Sequence, residues 1–133
     1  MAVDRKIVEA PGAPAAIGPY SHAVLADLRS VGGLLFCSGQ IPLDPATGEL
    51  VGTTAAEQAR RCLENLQAVC EAAGASLARA VRLTVYMTDL AEFVAVNDVY
   101  ASFFETEPPA RVTVGVAQLP QGAYVEIDAI VAL

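Results

Sequence analysis

Positive charge is scarce in this sequence. Eight lysines and arginines stand against fifteen aspartates and glutamates, giving a net charge of −7 at pH 7. A nucleic-acid partner is therefore not expected, because phosphate binding needs a basic stripe that releases counterions. Tryptophan is absent and aromatic residues make up only 6% of the chain. There is one histidine, His22, and there are three cysteines, Cys37, Cys62 and Cys70. No CxxC or Cys/His spacing suggests a zinc site, so no metal is expected. Cys62 and Cys70 lie about 12 Å apart along a helix, too far to bridge within it. Three buried, reduced thiols in a cytoplasmic protein is the expected state. Long apolar runs are also missing. No window approaches the ~18 uninterrupted apolar residues of a membrane span. The uncharged stretch 10–26 is interrupted by Pro11, Pro14 and Pro19. The charged start, Met-Ala-Val-Asp-Arg-Lys, has no apolar core of a secretory leader.

Apolar residues are abundant, at 54% of 133. This length predicts one domain over residues 1–133. A small domain has a large surface for its volume, so this apolar excess predicts a subunit partner covering part of it.

Strands are expected at 5–8, 21–26 and 34–40. The loop at 10–19 is too rich in proline and glycine for helix or ladder. A helix is expected over 54–73, opened by a Thr54/Glu57 capping box and closed by Gly74. Its buried stripe reads Ala55, Ala59, Cys62, Leu66, Val69 and Ala73. A strand at 81–87 alternates with period two. A second helix follows, capped by Asp89 with Glu92 three residues on. It buries Phe93, Val96, Tyr100 and Phe103/Phe104 and ends before Pro108-Pro109. Strands at 110–117 and 124–133 flank Leu119-Pro120-Gln121-Gly122, read as a type I turn. The order is β-β-β-α-β-α-β-β. Two helices cover only one face of such a sheet.

In the last two strands, Val112, Val114 and Val116 alternate with Arg111, Thr113 and Gly115. Val125, Ile127, Ala129 and Val131 alternate with Glu126 and Asp128. The valine faces are expected under the helices, leaving Arg111, Glu126 and Asp128 together on the other face. A hairpin would set Arg111 roughly opposite Glu126. Ser38-Gly39-Gln40 ends an apolar strand, and Gly39 permits close approach of a ligand or backbone.

The chain resembles the RidA family, also called YjgF, the reactive intermediate imine/enamine deaminases. The likeness rests on Ile17-Gly18-Pro19-Tyr20-Ser21, Ser38-Gly39-Gln40-Ile41-Pro42, Val96-Asn97-Asp98-Val99-Tyr100 and the run from Pro109-Ala110-Arg111 through Leu119-Pro120 to Val125-Glu126-Ile127. It implies an α+β, chorismate-mutase-like fold: a mixed sheet, two helices on one face, and a homotrimer with a barrel-like core and clefts between subunits. It implies hydrolysis of 2-iminobutanoate and 2-iminopropanoate, or enamine precursors such as 2-aminoacrylate, to 2-oxo acids and ammonia. No metal or organic cofactor is implied.

The same resemblance makes Arg111 the carboxylate-binding arginine, with a structural salt bridge to Glu126 or Asp128 as the plainer reading. Glu126 would position or activate the hydrolytic water. Tyr20 would line the cleft from the neighbouring subunit. Ser38, Gly39 and Asn97 match substrate-contacting positions. Thr113 stands where many members carry cysteine, and His22 where many carry glutamine, reading as an amide-like hydrogen-bonding substitute. Two other functions fit the same residues. One is a non-catalytic, regulatory trimer binding 2-oxo acids. The other is a pathway-specific deaminase of a larger enamine.

Overall fold

A computed structural model describes residues 5–133; residues 1–4, part of the charged start, lie outside them. The strands are β1 (Arg5–Val8), β2 (Ala23–Ala26), β3 (Leu34–Gln40), β4 (Ala80–Met87), β5 (Ala110–Gly115) and β6 (Val125–Ala132). The helices are α1 (Ala55–Ala72) and α2 (Phe93–Phe103). β1 and β2 form a separate antiparallel ribbon, while the main sheet runs β3-β6-β4-β5. It is mixed: β6 is antiparallel to both its neighbours, and β4 is parallel to β5. This is the expected α+β fold, with both helices on one face.

Thr54 caps α1, its Oγ1 accepting the Glu57 N–H at 3.1 Å, while the other half of the expected box differs: the Glu57 carboxylate accepts the Thr54 hydroxyl at 2.9 Å. The buried stripe differs from the expected one. Ala55, Ala59, Cys62 and Leu66 are buried, but Leu63 and Cys70 replace Val69 and Ala73, because α1 packs against α2 as well as the sheet. Gln58 is buried too. Its Oε1 accepts the Tyr124 N–H at 2.7 Å and its Nε2 donates to the Gly52 carbonyl at 3.2 Å, tying the helix start to the start of β6. Leu83, Val85 and Met87 of β4 and Val125, Ile127, Ala129 and Val131 of β6 complete the core.

Asp89 caps a short 3-10 turn, Leu90–Glu92, with its Oδ1 accepting the Ala91 N–H at 2.9 Å; α2 then starts at Phe93. The 119–122 turn is not type I. Gln121 has φ +57°, the left-handed value of the third position in a type II turn.

The expected hairpin between the last two strands does not form. β4 lies between β5 and β6, because β5 is reached by a parallel crossover through α2 rather than a tight return. The facing of β5 is also reversed. Arg111 is opposite Leu83 and Thr113 opposite Val85, so both face the helices, whereas Val112 and Val114 face away. The alternation in β6 is as expected: Glu126 opposite Tyr86 and Asp128 opposite Thr84 lie on the uncovered face. That face also exposes Phe36, opposite Ile130, with 71% of its surface accessible.

Candidate functional site

The two leading candidates therefore stand apart. Arg111 and Glu126 lie on strands either side of β4 and point to opposite faces of the sheet. Each gathers its own cluster.

Arg111 sits under α2. Its Nη1 donates to Asn97 Oδ1 at 2.6 Å. Its guanidinium carbon stands 4.9 Å from the Tyr100 ring centre, 5.5 Å from Tyr20 and 5.6 Å from Phe93. Gly18 lies so close that a Cβ there would come within 3.3 Å of Arg111 Nη2. Phe93, Asn97 and Tyr100 occur at i, i+4 and i+7, so one side of α2 presents all three. The Pro-rich loop ending at Gly18-Pro19-Tyr20 closes the box from outside. Tyr20 thus packs on the Arg111 of its own chain, where the resemblance had it lining a cleft from the neighbouring subunit.

Among the described residues Arg111 forms no ion pair; the salt bridges are Arg5–Glu107, Arg29–Asp27 and Arg61–Glu64. Within one chain the register excludes the plainer reading, a salt bridge to Glu126 or Asp128. Burial lowers the Arg111 pKa, and the neighbouring Tyr100 and Tyr20 partly oppose that shift. Guanidinium still stays protonated in proteins. Three π faces and one amide oxygen stand where a carboxylate would. They leave the charge unneutralised and part of its donor fork free, which suits a bidentate carboxylate. Burial pushes the Tyr100 phenol up, so it offers a neutral ring. Thr113 faces the same side, and its Oγ1, like Tyr100 Oη, is buried without a hydrogen-bond partner among the described residues. Phe93 and Tyr100 read from sequence only as a buried helix face; their i, i+4, i+7 spacing with Asn97 was the signal that they share its neighbour.

The second cluster is acidic. Between Cys37 and Gln40, β3 carries one more residue than β6 does between Ala129 and Ile127, a bulge containing Ser38 and Gly39. A Cβ at Gly39 would overlap the Glu126 carboxylate, so only glycine lets that side chain lie against the β3 backbone. Asp128, next on the same face, is engaged: Tyr86 Oη donates to its Oδ2 at 3.0 Å. Glu126 has no hydrogen bond or ion pair of this kind among the described residues, so its carboxylate is available. Ser38 and Gly39 are exposed beside it. The structure thus brings Tyr20, Asn97, Thr113 and Arg111 together in one place and Ser38, Gly39 and Glu126 in another. The surface hollow at the start of α1, lined by Thr53, Thr54, Thr88, Asp89, Glu92 and Tyr124, includes none of them.

His22 lies outside both clusters. Its Nδ1 accepts the Ala10 N–H at 2.9 Å and its Nε2 lies 2.7 Å from the Pro14 carbonyl.

Comparison with known proteins places the chain in a family. Residues 10–133 match the family model described as Endoribonuclease L-PSP. A RutC family protein, y4sK, from Sinorhizobium fredii is 52% identical over 91% of this chain and 92% of its own. The bovine 2-iminobutanoate/2-iminopropanoate deaminase is 45% identical over 95% of this chain and 88% of its own. Among solved structures, RidA from a Psychrobacter species superposes with a TM-score of 0.73 at 41% identity, covering 96% of this chain and 99% of that one.

Proposed function

The chain belongs to the Endoribonuclease L-PSP family, that of RidA and YjgF, and from that premise we propose that it hydrolyses short 2-imino acids, and the enamines that tautomerise to them, to 2-oxo acids and ammonia. The observation that carries the reading is the Arg111 box: a half-buried guanidinium without a countercharge, held by three rings and Asn97. Such a group is built to take a small carboxylate. The reaction adds water across the C=N bond. The water loses a proton as its oxygen bonds to the imine carbon, giving a carbinolamine; the nitrogen takes up that proton and then the hydroxyl's as the C=O forms and the C–N bond breaks, releasing ammonia. A free carboxylate can accept the first proton and return it to the nitrogen. Glu126 has that role.

Within one chain Arg111 and Glu126 cannot reach the same small molecule. The site is therefore composite in this reading: Arg111, Asn97 and Tyr20 of one subunit face Glu126, Gly39 and Ser38 of the next, in a homotrimer closed over the uncovered sheet face. The exposed Phe36 and Val114 on that face support this assembly. Glycine at 39 puts no side chain between the β3 backbone and the Glu126 carboxylate. Thr113 supplies a hydroxyl where a thiol is unnecessary, since hydrolysis needs none.

The bovine relative's name supports the deaminase class. The family description instead names an endoribonuclease, but a net charge of −7 works against binding the phosphates of RNA. The test is ammonia and pyruvate release from enzymatically generated 2-aminoacrylate, set against the uncatalysed rate. Acceleration is expected. A rate equal to the uncatalysed one, with 2-oxobutanoate still binding, would assign the protein to ligand binding instead.

A further inference from the structure

His22 uses both ring nitrogens on one loop. With Nδ1 accepting the Ala10 N–H at 2.9 Å, the ring proton belongs on Nε2, which donates to the Pro14 carbonyl at 2.7 Å. The loop it grips is otherwise loosely held. Residues 11–17 are all exposed. The other hydrogen bonds from 10 to 20 stay inside the segment: Ala13 N–H to the Ala10 carbonyl at 3.1 Å, Tyr20 N–H to the Gly18 carbonyl at 2.8 Å, and Ile17 N–H to Tyr20 Oη at 3.4 Å. Beyond Tyr20, the Ser21 hydroxyl and N–H donate to the carbonyls of Pro108 and Pro109, just ahead of β5. The segment is thus pinned at one end by His22 and at the other by Ser21. Between the pins it carries Gly18 and Tyr20, which close the Arg111 box.

We infer that His22 is a positioning residue: by stapling Ala10 and Pro14 it keeps Gly18-Pro19-Tyr20 seated against Arg111, and so sets the affinity of that site for carboxylates. The inference rests on the proposed reading of Arg111 as a carboxylate site. Its physical basis is population. A ligand that needs the seated loop binds more weakly in proportion to the fraction of molecules in which the loop is seated. Pro11, Pro14 and Pro19 narrow the freedom of the unseated loop, so a pair of hydrogen bonds suffices to hold it. Once substrate is bound the loop is seated in every variant, so the chemical step is left alone. A glutamine carboxamide also offers one acceptor and one N–H donor on the same side chain, so His22→Gln can keep the staple, while His22→Ala cannot.

The experiment compares the wild-type protein with His22→Ala and His22→Gln. Amide hydrogen exchange over residues 10–20 is followed in the ligand-free protein, 2-oxobutanoate binding by calorimetry, and kcat and KM on 2-iminobutanoate. In His22→Ala, exchange at Ala10 and Tyr20 should quicken. The 2-oxobutanoate Kd and the KM should rise together by about five- to 150-fold, the range set by two net hydrogen bonds. kcat should stay within about threefold, since the loss is of binding common to substrate and transition state. His22→Gln should restore all three. Unchanged exchange in His22→Ala overturns the staple, and faster exchange with unchanged Kd overturns the link to the site. Should the wild-type protein bind 2-oxobutanoate but not turn over the imine, the function fails while Kd still decides the inference. Should it bind no carboxylate at all, both the carboxylate reading of Arg111 and the inference built on it are overturned.

Discussion

Subunits carrying Arg111→Ala, mixed with subunits carrying Glu126→Gln and reassembled, should regain activity that neither has alone. In one chain Arg111 is opposite Leu83 and Glu126 opposite Tyr86, on opposite flanks and faces of β4. Two strand spacings separate them by about 9.5 Å, and three residues along the strand add about 10 Å. A four-carbon imino acid cannot span that gap, so a cleft in which both groups act on it draws on two chains. Arg111→Ala removes two charge-assisted bonds of about 1.5–3 kcal/mol each, a loss of at least about a hundredfold in kcat/KM. Its melting temperature should move by no more than a few degrees, because Arg111 makes no ion pair and its removal also relieves a half-buried charge. Glu126→Gln should cost about 10²- to 10⁴-fold in turnover and leave product affinity nearly unchanged. In a closed ring of randomly mixed subunits, each cleft takes its arginine and its glutamate independently, so about a quarter of clefts are intact. Ammonia release from 2-iminobutanoate should therefore recover to about 25% of wild type in the mixture. A second mixture, wild type with the double variant, separates the cases further: shared clefts leave about a quarter of wild-type activity and clefts within one chain about half. No recovery in the first mixture and half activity in the second would refute the composite site.

Three further outcomes follow from the same geometry. Gly39→Ala puts a methyl group where the Glu126 carboxylate lies; turnover should fall by about tenfold to a hundredfold, as for other small displacements of a reacting group, with the circular dichroism spectrum unchanged. Burial pushes the Cys62 thiol up to about 12 and the Cys70 thiol up to about 11. Both therefore stay protonated at pH 8, and iodoacetamide should mark neither until the protein is unfolded, when mass spectrometry should show all three cysteines modified. Light scattering should give three times the 13.8 kDa chain mass, and Phe36→Glu, which places a charge on the uncovered face, should shift the protein towards one chain mass.

What could be read along the chain was local. The Thr54/Glu57 box placed the start of α1 because a cap is decided within four residues. The facing of β6 was readable because Val125, Ile127, Ala129 and Val131 alternate with Glu126 and Asp128, and only one phase buries the apolar set. β5 obeys the same rule of two, yet its phase came out inverted. The expectation placed Val112 and Val114 inside and Arg111 outside, on hydrophobicity alone. The structure turns Arg111 inward because α2 meets it with Phe93, Tyr100 and the Asn97 amide, which together replace the solvation a guanidinium loses. Those partners belong to another element, and no pattern within β5 encodes them. Strand order was hidden for a related reason. The hairpin expectation took neighbours in sequence as neighbours in space, but α2 carries the chain from β4 to a parallel edge position, leaving β6 on the far side of β4. Motif likeness had gathered Arg111 and Glu126 as members of one site without saying that a single chain holds them back to back. That arrangement has a chemical merit. A carboxylate able to reach Arg111 within its own chain would neutralise it and compete with substrate. Setting Glu126 on the opposite face leaves the guanidinium unpaired within its own chain, so in the composite reading the two groups meet only where two subunits close a cleft around the substrate.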